Sequence, residues 1–121
     1  MIMKNQDTSA NTLGIVRISD DAIASIAAIS AKKIEGVFGL HKGFAGKLLE
    51  ALGFSKNENS GGVRVEIGDK EVWIEMVVNV KFGFDVPAIV AKIQESVRDN
   101  VESMTGLAVR EVNVNIKEIV E

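Results

Sequence analysis

From Val63 onward the chain alternates. Val63, Val65 and Ile67 are apolar and Arg64 and Glu66 are charged. After Gly68-Asp69-Lys70-Glu71, apolar residues return at every second position, from Val72 through Ile74, Met76, Val78 and Val80 to Phe82 and Phe84. Period two is the signature of a strand with one buried face, so the segment predicts a half-buried β-hairpin. A two-residue turn at Gly68-Asp69 would set Ile67 opposite Lys70 on one face. A four-residue connection instead pairs Ile67 with Val72 and keeps both toward the core, and that register is expected. Trp73, Glu75, Val77, Asn79 and Lys81 then point to the other face.

Two stretches carry the helical period. Ile23, Ile26, Ala27, Ser30 and Ile34 share one face, and Ser19 ahead of Asp20-Asp21 supplies an N-cap with acids in the first turn. A helix over 20–35 follows, with Gly36 as its C′ residue. Val86, Ile89, Val90, Ile93, Val97, Val101 and Met104 form a second stripe, opened by Asp85 and Pro87 and closed by Gly106. Short β-branched runs at 13–18 and around Val112, Val114 and Ile116 read as strands. Phe44, Leu48 and Leu52 suggest a short helix over 44–52, and the following SKNENSGG is loop chemistry. Residues 1–11 read as a disordered tail before a single domain over 12–121. The order β-α-(short α)-β-β-α-β predicts an α+β fold: a mixed or antiparallel sheet with helices on one face, close to the ferredoxin-like split βαβ plan, strand order left open.

Composition narrows the chemistry. The chain has 121 residues, no cysteine, one histidine and a net charge of −3. Disulfides and thiolate chemistry are excluded, and the acidic balance argues against nonspecific binding to nucleic acid or anionic lipid. Catalysis needs a positioned base or nucleophile. His41 stands alone in a glycine-rich loop, and the acids are scattered as on a solvated surface. No catalytic, cofactor or metal residues are assigned, and the protein is not expected to be an enzyme.

Nearly the whole chain, about 13–119, resembles the alkaline shock protein family (Gls-type, envelope stress). The resemblance rests on Phe82-Gly83 before the helix begun by Pro87, on Met104-Thr105-Gly106 after it, on Val112-Asn113-Val114, and on Glu35-Gly36-Val37. Relatives often carry tyrosine where Phe82 stands. The resemblance implies a cytoplasmic protein linked to envelope stress, in some relatives recruited to the membrane by a partner, with no established catalytic residues.

Two features invite sharper readings. Gly43-Phe44-Ala45-Gly46 between Lys42 and Lys47 is a GxxG loop, the alternative reading being a KH-like nucleic-acid-binding module. Glycines also begin and end helices, and the domain is acidic. The other feature is the outward face of the hairpin. Trp73, Val77 and Asn79, joined by Asn113 and Asn115 from the last strand and Ile15 from the first, compose a candidate interaction face, since tryptophan is enriched at interface hot spots. The expected partners are proteins, among them a membrane-anchored one and further copies of the chain.

Overall fold

A computed structural model describes residues 13–41 and 62–121. Its elements run α1 (Asp20–Lys32), β1 (Val37–Leu40), β2 (Val63–Ile67), β3 (Glu71–Lys81), α2 (Val86–Thr105) and β4 (Ala108–Val120). The class is α+β, as the sequence predicts. The helix expected over 44–52 and the tail over 1–11 lie outside the described residues.

β3 organises the sheet. β4 pairs with it in parallel along its whole length, from Glu71 opposite Ala108 to Lys81 opposite Val120. The other edge of β3 is shared by two antiparallel strands end to end: β2 pairs with Val72–Met76 and β1 with Val78–Val80. They meet at Val77, whose carbonyl accepts from the His41 amide at 2.8 Å while its own amide donates to the Gly62 carbonyl at 2.9 Å. The sheet therefore has three lanes and is mixed.

The hairpin takes the expected register. Ile67 stands opposite Val72, and the Gly68 amide closes the turn on the Glu71 carbonyl at 2.8 Å. Val72, Ile74, Met76, Val78 and Val80 are fully buried under the helices. Against them pack Ile23, Ala27 and Ala31 from α1 and Ile89, Ile93, Val97 and Val101 from α2. Burying each large side chain contributes about 1.5–3 kcal/mol, so this layer supplies most of the stability. Small residues let α1 come close, and Asn100 of α2 donates to Ser30 Oγ of α1 at 2.8 Å. Ser30 itself donates to the Ile26 carbonyl, which satisfies its buried hydroxyl.

Four expectations are corrected. Residues 13–18 are not a strand; Arg17 makes an isolated bridge, and Leu13, Ile15 and Val16 are exposed. The lane that a split βαβ plan reserves for that strand is closed, because β3 and β4 bond directly. α1 ends at Lys32 with Lys33 as its C-cap, so Gly36 is not the helix terminator. Met104 is 68% exposed; the buried end of the α2 stripe is Thr105, which donates to the Val101 carbonyl at 2.6 Å and accepts from the Leu107 amide. β3 stops at Lys81, so Phe82 and Phe84 lie beyond the sheet.

Gly36 has a different reason to be glycine. Its φ is +98°, and a Cβ there would stand 2.5 Å from Ile89 Cδ1 and 2.8 Å from Phe84 Cδ2. The backbone must let the phenyl ring and the start of α2 settle over it. The other motif residues bound elements. Asp85 caps α2 by accepting from the Ala88 amide, Pro87 sits in its first turn, and Gly106 ends it at φ +77°. Gly83 takes φ +98° in the turn after β3, next to Phe82, whose amide donates to the Val120 carbonyl at 2.7 Å.

Candidate interaction surface

Both helices lie on one face of the sheet, and the opposite face is uncovered among the described residues. Trp73, Glu75, Val77 and Asn79 alternate along β3 with the buried positions and are half-buried. The pairing registers decide their neighbours. Glu66 of β2 and Glu111 of β4 both stand opposite Trp73, one in each adjoining lane. Arg64 and Asn113 flank Glu75, and Asn115 flanks Val77. The row forms an open trough of about 690 Å³ lined by Arg64, Glu66, Trp73, Glu75, Glu111 and Asn113, among others.

The indole leans along its own sheet: a Cβ on Gly68 would stand 3.0 Å from Trp73 Cζ3. Around it the charges divide into two kinds. Arg64 donates to Glu75 at 2.6 Å, and Arg110 pairs with Glu71 at 2.6 Å. Glu66 and Glu111 are exposed and pair with no described cation; Glu111 accepts from Asn113 Nδ2 at 3.2 Å. Farther along, Asn115 Nδ2 donates to the Met76 carbonyl at 3.4 Å, and Asn79 Oδ1 is buried without a hydrogen-bond partner among the described residues.

Of the six residues expected on this face, Trp73, Val77, Asn79, Asn113 and Asn115 share it. Ile15 does not sit on the sheet: its segment forms no strand, and its side chain is 58% exposed. Sequence reasoning passed over the pairing of Trp73 with Glu111, for which the sequence carried no local signal. The Gly43–Gly46 loop lies outside the described residues.

A family model for alkaline shock protein 23, described as having a cell envelope-related function, matches residues 8–121. The chain belongs to this family. Among curated relatives, a protein named YqhY of Bacillus subtilis strain 168 is 33% identical over 114 residues, 94% of this chain and 81% of that protein. A Streptococcus pyogenes protein named as a stress response regulator gls24 homolog is 29% identical over 115 residues, 95% of this chain. The chain spans 64% of that relative's length. Among solved structures, a MamM C-terminal domain superimposes with a TM-score of 0.49 at 15% identity, over 81% of this chain and 96% of that one.

Proposed function

We propose that this alkaline-shock family member serves the cell-envelope stress response without catalysing a reaction, through protein–protein contacts made by the uncovered face of its sheet. The observation that carries the reading is Trp73, held on the middle strand of that face between polar and charged neighbours. An apolar centre within a polar rim is the anatomy of a partner surface, and tryptophan is among the residues that dominate binding energy. No helix among the described residues is long and apolar enough to cross a membrane. On this reading the chain works in the cytoplasm, and a membrane-anchored partner brings it to the envelope. A second copy and a different protein are both occupants that such a face can take.

The test compares the immobilised wild-type chain with Trp73→Ala against membrane and cytosolic extracts. A partner retained by the wild type and depleted about tenfold by the variant supports the reading, because truncating a hot spot costs that much or more. Circular dichroism must show both chains folded. Equal capture by the two chains sinks the proposal. Light scattering against the 13.0 kDa chain mass separates a second copy from another protein.

A further inference from the structure

We propose that the occupant of the trough is a basic segment of a partner protein, with an arginine or lysine side chain lying over the Trp73 indole between Glu66 and Glu111. The inference rests on the reading above and names the chemistry of the partner. Glu66 faces Trp73 in an antiparallel pair, where opposite Cβ atoms lie about 4.5–5.5 Å apart. Glu111 is its register partner in the parallel β4, so two carboxylates border one indole from both lanes. An indole attracts a cation over its ring within about 6 Å, and tryptophan does so best of the aromatic residues. Carboxylates beside the ring add charge-assisted hydrogen bonds to the same cation.

The neighbouring charges sharpen the case. Four carboxylates on this face lie near the indole, and the chain neutralises two of them itself, Glu75 with Arg64 and Glu71 with Arg110. The two directly opposite Trp73 are left without a described counter-ion. Asn113 donates to Glu111 and holds that carboxylate in place without cancelling its charge. A second copy stacked face to face about Trp73 would bring one acidic border of the indole against another, a like-charge contact that disfavours it. A purely apolar partner would strip water from both carboxylates with nothing to replace it. A basic segment satisfies the ring and the carboxylates together.

Trp73 is the chain's only tryptophan, so its emission reports this site alone. The full chain is titrated with a peptide of alternating lysine and leucine and, separately, with one of alternating glutamate and leucine. The expected result is a saturable emission change with the lysine peptide, at least about tenfold tighter than with the glutamate peptide and weakening as salt rises. Glu66→Gln with Glu111→Gln should weaken the lysine peptide several-fold and leave the melting temperature of these exposed positions nearly unchanged. Equal affinity for the two peptides, no response to either, or a double variant that binds like the wild type overturns the proposal. So does emission that changes with protein concentration alone while light scattering reports a dimer. That outcome gives the face to a second copy and leaves the broader reading of an interaction surface standing.

Discussion

Gln94, on the exposed side of α2, donates its Nε2 hydrogen to the Val112 carbonyl of β4 at 3.1 Å. Just over two turns farther along the helix, Glu102 accepts from the Val109 amide at 2.9 Å. Both contacts use backbone groups of a strand that has β3 on one side and no described strand on the other. An open edge of this kind templates pairing with other chains, and proteins blunt it with bulges and charges. β4 has both: register shifts leave Arg110 and Lys117 as extra residues near its two ends. Gln94→Ala with Glu102→Ala should therefore raise the mass measured by light scattering relative to wild type. An unchanged mass would assign the protection to the bulges instead.

Ile93 lies at the middle of the buried α2 stripe, with no exposed surface. Ile93→Ala should cost about 2–5 kcal/mol in denaturant unfolding, the lost transfer energy plus the cavity. Met104, on the same helix but mostly exposed, should change stability by less than about 0.5 kcal/mol when replaced by alanine. Equal losses at the two positions would contradict the packing described.

Gly36→Ala combines backbone strain with overpacking. A left-handed backbone costs a non-glycine residue about 1–3 kcal/mol, and the new methyl group collides with Ile89 and Phe84. The expected loss is at least about 2 kcal/mol. Shortening the ring with Phe84→Ala in the same chain should restore little of it, because the φ constraint and the Ile89 contact remain. Full recovery would show that the clash with the ring was the whole effect.

RNA binding should be absent at micromolar protein in moderate salt. A chain with a pI near 5.2 offers little counterion release, which drives most nonspecific affinity. A mobility shift that disappears when Gly43 and Gly46 are both changed to Asp would favour the glycine-loop module.

Some of this protein was settled by the sequence alone. The β2–β3 register follows from alternation, because a slip by one residue would turn every apolar side chain to water. Asp85, Pro87 and Gly106 bound α2 through bonds within a few residues, so their signals are local. Residues 13–18 have the composition of a strand, yet a strand exists only where a partner lane is open, and the lane beside β3 belongs to β4. Met104 keeps the helical period but lies at the end of α2, where Thr105 and Leu107 turn inward instead.

The charge beside Trp73 was decided by tertiary structure. Val72 pairs with Val109, so a regular ladder would set Trp73 opposite Arg110. The register shift sets it opposite Glu111. One extra residue in β4 thus replaces a guanidinium with a carboxylate beside the indole. A register between strands separated by a 20-residue helix depends on how α2 packs, and no pattern within either strand encodes it.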